Sequence, residues 1–189
     1  MGKRAQTTRL LIDTNVFIDH LRGALDLGPL FSAGHKYSFV TAKELLGLGS
    51  GGRLTAGPSR HAGTMAAGVG DRELLRYLRY TSRLPYFVSF RHYGYPVNRD
   101  WERTFKRELK LLSWFECVPV SRSVRIEAEQ LVKSGDVESS RTNDAVIELT
   151  AVKLGLPVLS GDAGFDRLGS VRVGPEFLVI PRQEGRRLT

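Results

Sequence analysis

Short apolar runs alternate along this chain with stretches whose apolar residues recur every three or four positions. The first kind reads as buried strand and the second as amphipathic helix. Arg9 to Ile12 reads as a strand, and Thr14 to Arg22 as the helix after it, with Val16, Phe17 and Leu21 on one face and Gly23 as the stop. Leu25 to Ala33 is predicted as a second short helix, stopped by Gly34. Tyr37 to Val40, aromatic and β-branched, is predicted as the second strand, and Thr41 starts the next helix. Farther along, Asp100 to Phe115 sets Trp101, Phe105, Leu109 and Leu112 on one helical face. Cys117 to Val120 is the third expected strand, followed by a helix from Val124 to Lys133 capped by Ser121. Thr142 or Asn143 caps the helix that ends at Gly155, and Leu156 to Ser160 is the fourth strand. A short helix around Phe165 to Leu168 and a last strand, Phe177 to Ile180, complete the pattern.

Strands alternating with helices predict an α/β fold, a parallel sheet with helices on both faces. The chain has 189 residues, enough for one domain with its own core, and shows no internal repeat. The pattern breaks from Gly49 to Gly70, where seven glycines and Pro58 replace the large apolar residues. Asp71 to Arg83 returns to helical spacing, and Pro85 to Asn98 is aromatic without a clear period. The expected organisation is therefore a single domain over 1–189 with a basic, mostly helical insertion at about 49–100.

Four acids stand where a strand is expected to hand over to a helix: Asp13, Glu44, Asp144 and Asp162. Each alone has an ordinary reading. Asp13 can cap its helix, Glu44 can face solvent, Asp144 can favour the helix dipole, and Asp162 can serve the turn after Gly161. Together they point elsewhere, because a parallel sheet brings such positions to one edge, where α/β folds bind ligands. Four converging carboxylates repel one another unless a divalent cation neutralises them.

The segments that carry these acids are Leu10-Leu-Ile-Asp-Thr-Asn-Val-Phe-Ile-Asp19, Ser38-Phe-Val-Thr-Ala-Lys-Glu-Leu45, Thr142-Asn-Asp-Ala-Val-Ile147 and Gly161-Asp-Ala-Gly-Phe-Asp-Arg-Leu168. In this order and spacing they resemble the PIN-domain nucleases, and within them the VapC-like ribonuclease toxins, over roughly residues 8–48 and 116–181. The resemblance implies a three-layer α/β/α fold with roughly five parallel strands. It also implies a Mg²⁺ or Mn²⁺ site built from Asp13, Glu44, Asp144 and Asp162, lined by Thr14 and Ser160, with Asn15 in a structural role. The implied activity is metal-dependent endoribonuclease cleavage leaving a 5′-phosphate and a 3′-hydroxyl, and the implied partners are RNA, a small antitoxin and a second copy of the chain. Two positions depart from the family pattern. Gly164 stands before Phe165 where an acid is common, and Glu148 lies one turn from Asp144 where small residues are common. Glu148 is either a fifth acid of the metal site or the partner of a nearby Arg or Lys.

The formal net charge of +8 favours a polyanionic partner. Residues 49–115 carry +7 of it and 11 of the 17 aromatic residues. Arg72, Arg76, Arg79 and Arg83 recur along one helical face, and Arg99, Arg103, Lys106, Arg107 and Lys110 nearly repeat the pattern. Solvated faces usually mix both signs, so these stripes read as an RNA-binding surface. Tyr86, Phe87, Phe90, His92, Tyr93 and Tyr95 either stack on bases or form the core of the insertion. The single cysteine, Cys117, allows no internal disulfide and reads as a small core residue. The polar, basic N-terminus has no apolar signal core, and no apolar run approaches a membrane span, so the expected location is the cytoplasm. Two other readings stay open: a catalytically degenerate PIN-like nucleic-acid-binding module, and a nuclease directed at DNA or flaps.

Overall fold

The computed structural model describes residues 8–31, 33–45 and 107–180. Five short strands form one parallel sheet: β1 (Leu11–Ile12), β2 (Lys36–Ser38), β3 (Glu116–Val118), β4 (Val158–Leu159) and β5 (Arg172–Val173). Their order across the sheet is β3-β2-β1-β4-β5, and every neighbouring pair is parallel. The chain leaves β1 to build β2 and β3 on one side, then crosses to build β4 and β5 on the other. The order thus reverses between β1 and β4, and a crevice opens there beyond the carboxyl ends of the strands.

Period-two alternation sorts the strand residues between the two faces. Ile12, Tyr37, Cys117 and Leu159 pack with Val16 and Phe17 of α1 (Thr14–Leu21), with Phe39, Ala42 and Leu45 of α2 (Phe39–Leu45), and with Leu109 and Leu112. Leu11 and Val158 face the other way, onto Ile147 and Ala151 of α4 (Thr142–Leu154). A further helix, α3 (Arg122–Ser134), lies along α4 through Val124, Ala128, Ala145, Val146 and Leu149. Helix α4 is therefore covered on two sides, which is why seven consecutive residues, Ala145 to Ala151, are buried. The result is the three-layer parallel α/β/α arrangement expected from the sequence.

Several boundaries differ from the reading of the sequence. Strand β2 ends at Ser38 and α2 begins at Phe39, so the aromatic and β-branched pair Phe39 and Val40 is helical and buries Phe39. Among the described residues of 25–33, a 3-10 turn, Gly28–Leu30, with Pro29 in its second position, stands where a longer helix was expected. Residues 165–168 form turns, with no helix. The last strand is Arg172–Val173, and Glu176–Leu178 is a 3-10 turn, with Val179 only bridging back to Leu25. The short Val171–Val173 run between Ser170 and Gly174 is too brief to show periodicity, whereas Phe177 to Ile180 is apolar in sequence yet exposes Phe177, Val179 and Ile180. Ser121 does cap α3, its Oγ accepting from the Val124 amide. Helix α4 begins without a side-chain cap, since the Thr142 hydroxyl donates to the Ser139 carbonyl and Asn143 points elsewhere. Its C-terminus is closed by Gly155, whose φ of 63° suits a residue without Cβ. Cys117 is buried in the core. The Gly-rich stretch, the helix at 71–83 and the aromatic stretch at 85–98 lie outside the described residues, as does all of the insertion at 49–100.

Candidate active site

Asp13 follows β1 directly and is 2% exposed. It caps α1, its Oδ1 accepting from the Thr14 amide at 2.6 Å. Its other oxygen accepts from Ser160 Oγ at 2.9 Å, and Ser160 follows β4, the next strand across the sheet. Asp13 and Ser160 thus sit on the two sides of the topological reversal.

Glu44 comes from α2, one helix removed from β2. Thr14 Oγ1 donates to its Oε2, and Asn143 Nδ2 donates to its Oε1 at 2.7 Å. Asp144 arrives by a different route from the one expected. It follows no strand but lies in the first turn of α4, which runs back toward the start of β4 and so presents its N-terminus at the carboxyl edge of the sheet. Asp162 lies in the turn after β4. Its amide donates to Ser160 Oγ at 3.0 Å, and its Oδ1 accepts from the Gly164 amide at 2.8 Å.

Arg141 closes the arrangement. Its Nε donates to Asp144 Oδ2 at 3.1 Å and its Nη2 to Asp162 Oδ2 at 3.0 Å. A chain of hydrogen bonds therefore runs through Asp13, Ser160, Asp162, Arg141 and Asp144, and another through Thr14 and Glu44 to Asn143. The four acids named from the sequence, with Thr14 and Ser160, are gathered at one edge of the sheet. Arg141 and Asn143 are members that the sequence reading missed. Both lie within three residues of Asp144; Asn143 stands inside the Thr142–Ile147 segment but was read only as a cap, and Arg141 lies just before it.

The electrostatics follow from burial. Desolvation pushes the Asp13 carboxyl up to about 7, against the pull of Ser160 and the Thr14 amide, and the charges of Asp144 and Glu44 push it the same way. Burial also raises Glu44, opposed by the Thr14 and Asn143 hydrogen bonds and helped by Asp144. Burial raises Asp144, opposed by Arg141. Three carboxyls that hinder one another's ionisation leave a place where added positive charge is favourable.

Among the described residues, no three acidic, histidine or cysteine side chains stand close enough to cage an ion by themselves. The hydroxyl, amide and guanidinium groups hydrogen-bonded between the acids hold them apart. The carboxylate and hydroxyl oxygens present are the donor type of a hard cation that keeps much of its water and takes one or two carboxylates. Magnesium and manganese are such cations, and soft or closed structural metal sites do not match this donor set.

A family model for the PIN domain matches residues 73–171, just over half of the 189 residues. The chain belongs to the PIN-domain family. Members of that family are typically nucleases and generally use divalent metal ions. The PIN match contains Asp144, Asp162 and Gly164, and it begins at 73, inside the stretch read from sequence as an insertion. Among solved structures, the chain is similar to FitAcB from Neisseria gonorrhoeae, at 17% identity and a TM-score of 0.50 over 89% of this chain and 99% of that one. It is also similar to a toxin-antitoxin complex from Klebsiella pneumoniae, at 17% identity and a TM-score of 0.46 over 88% and 97%. No curated protein gives a significant sequence match.

Two further groups sort differently on the PIN scaffold. Glu148 is buried, and its Oε1 accepts from the Leu168 amide at 2.6 Å and from the Ser170 hydroxyl at 3.1 Å. It ties the 161–170 segment to α4. Of its two expectations, pairing with an Arg or Lys is not seen among the described residues, where its hydrogen bonds go to Leu168 and Ser170. Of the basic stripes, Arg72, Arg76, Arg79, Arg83, Arg99, Arg103 and Lys106 lie outside the described residues. Arg107 and Lys110 are described and exposed, and Arg107 Nη2 donates to the Leu21 carbonyl at the far end of α1 from Asp13. Nearer the acids, a cleft of about 200 Å³ between α2, α3 and α4 is lined by Lys43, Glu44, Arg125 and Asn143. Lys43 and Arg125 are basic residues that the charge pattern did not single out. No helix among the described residues is long and apolar enough to cross a membrane.

Proposed function

We propose that this chain is a divalent-metal-dependent endoribonuclease of the VapC-like kind. The observation that supports it is Asp13, an almost fully buried carboxylate at the sheet reversal, held high by burial and by Asp144 and Glu44. Capping α1 uses only one of its oxygens, and burial beside two other acids adds an electrostatic cost that a cation would relieve. Asp13, Glu44, Asp144 and Asp162 would hold Mg²⁺ or Mn²⁺. Such an ion, when bound, lowers the pKa of coordinated water and neutralises charge on a phosphodiester.

The chain's own residues do the rest. Ser160 and the Thr14 amide orient the two Asp13 oxygens, one from each side. Thr14 and Asn143 fix the Glu44 carboxylate between α1 and α4. Lys43 and Arg125, lining the neighbouring cleft, would meet backbone phosphates of the RNA on its way to the acids. The Arg and Lys stripes of 72–110 would extend that contact. A small antitoxin, a second copy of the chain and a cytoplasmic location belong to the same reading, carried by the sequence resemblance.

The test is cleavage of single-stranded RNA with Mn²⁺ or Mg²⁺, beside single-stranded and flapped DNA, for the wild type and Asp13→Asn. Metal-dependent RNA cleavage that the substitution abolishes is expected. Cleavage surviving both EDTA and Asp13→Asn would remove the proposal. The degenerate-module reading draws support from Arg141, which already holds two of the acids. Tight, salt-dependent RNA binding without divalent-ion binding in calorimetry would favour it.

A further inference from the structure

Arg141 and Gly164 occupy related positions in this site. The guanidinium bridges Asp144 and Asp162, which approach it from α4 and from the turn after β4. It also lies directly over Gly164. A Cβ built on Gly164 would stand 2.7 Å from Arg141 Cζ and closer still to both terminal nitrogens. Real Cβ atoms essentially never come so near another heavy atom, so any side chain at 164 moves the guanidinium from its seat. The backbone does not demand glycine here, since Gly164 is not among the glycines with positive φ. The missing side chain therefore provides space for Arg141.

The seat is also one that a cation would take. Asp144 is pushed toward protonation by burial, and Arg141 is the group that pulls it back. The Arg141 side chain is 23% exposed and Asp162 43%, so the guanidinium borders solvent and has a way out. A charge of one held by two hydrogen bonds competes poorly with a charge of two on the same carboxylates, but it still must be displaced.

We propose that Arg141 is a built-in counter-cation of the carboxylate site, seated over Gly164 and displaced outward when a divalent ion binds. The inference rests on the metal-site reading above and adds a competing group to it. Its consequence is that part of the site's negative charge is offset in the absence of metal, and that the site loads only where the divalent ion is abundant enough to displace the guanidinium. Gly164, where an acid is common in the family, is then a coupled change that makes the resident cation possible.

The experiment titrates MnCl₂ alone into the full chain by calorimetry, with circular dichroism confirming the fold of each variant. Arg141→Gln is expected to tighten Mn²⁺ binding about tenfold, the least that one unit charge at this range moves a neighbouring equilibrium. Gly164→Ala keeps the charge but fills the seat, and is expected to tighten binding about threefold, a partial loss of the same competition. The double variant should bind no more tightly than Arg141→Gln alone, because both changes act through one group. Arg141→Lys, which keeps the charge without the two-armed fork, should fall between wild type and Arg141→Gln. Mn²⁺ binding by the wild type that Arg141→Gln leaves unchanged or weakens would overturn the role of Arg141 and leave the metal site standing. So would folded Gly164→Ala with unchanged affinity. No Mn²⁺ binding by any of the four variants or the wild type would overturn both the metal site and this inference.

Discussion

Ser160 Oγ donates to Asp13 Oδ2 at 2.9 Å across the reversal of strand order, joining the ends of β4 and β1. Both residues are buried, and the same hydroxyl accepts from the Asp162 amide. One hydroxyl therefore orients the central acid and anchors the turn that carries another. Ser160→Ala removes a donor from a buried carboxylate and an acceptor from an amide. At pH 8 it should lower stability by about 1–3 kcal/mol, the range for hydrogen bonds to charged groups. Urea unfolding measures it, and an unchanged midpoint would show that water replaces the hydroxyl without loss.

Asp13→Asn should move stability the other way. The carboxyl, 2% exposed, is held up at about 7 by burial, so near neutral pH the metal-free fold carries part of the cost of a desolvated charge. Asparagine caps a helix as well as aspartate does and carries no charge. The metal-free variant should be more stable than wild type by about 1–3 kcal/mol at pH 8, with a higher melting temperature in EDTA. Mn²⁺ should raise the melting temperature of wild type but not of the variant. A variant less stable than wild type in EDTA would mean that the Asp13 charge is satisfied within the chain.

Glu148 separates structure from chemistry. Its Oε1 holds the Leu168 amide and the Ser170 hydroxyl, which fixes the segment leading to β5. Glu148→Ala leaves those donors without their partner and should cost about 2–4 kcal/mol. Glu148→Gln keeps an oxygen acceptor and should cost under about 1 kcal/mol. Mn²⁺ affinity should be the same in Glu148→Gln as in wild type. A loss of affinity there would return Glu148 to the metal site.

The parts legible in the sequence are those with a local signal. Asp13 sits at the end of an apolar run, and Ser121 and Gly155 are cap residues of familiar kind. Those signals were enough to find the first four strands, helices α1 to α4 and the acids at the sheet edge. What escaped notice depends on tertiary contact. Phe39 has strand propensity but begins a helix, because burial against α1 outweighs propensity. Strand β5 spans only Arg172–Val173 and is recognisable only beside β4. Glu148 sits one turn from Asp144, yet one of its carboxylate oxygens is held by Leu168, 20 residues along the chain. Gly164 read as a lost acid because the sequence does not show that Arg141, 23 residues earlier, fills the space above it.

Glu108 gives the chain a pH dependence away from the acidic edge. It lies beside Leu109 in the helical segment 107–112 and is 9% exposed. Burial raises its carboxyl from 4.5 to about 7, opposed by Arg107. The folded pKa is above the unfolded one, so the native state holds this proton more tightly. Stability from Glu108 is therefore complete below about pH 4.5 and is lost as pH rises through about 7. Glu108→Gln has no proton to lose. It should match wild type near pH 4.5 and exceed it by about 2 kcal/mol at pH 8. Asp13 titrates over the same range in both proteins, so the difference between the two stability curves isolates Glu108. Urea midpoints at half-unit steps from pH 4.5 to 8 provide the measurement. Parallel curves would show that Glu108 is ionised in the fold at neutral pH, and an excess that grows between pH 5 and 7 would show that it is not.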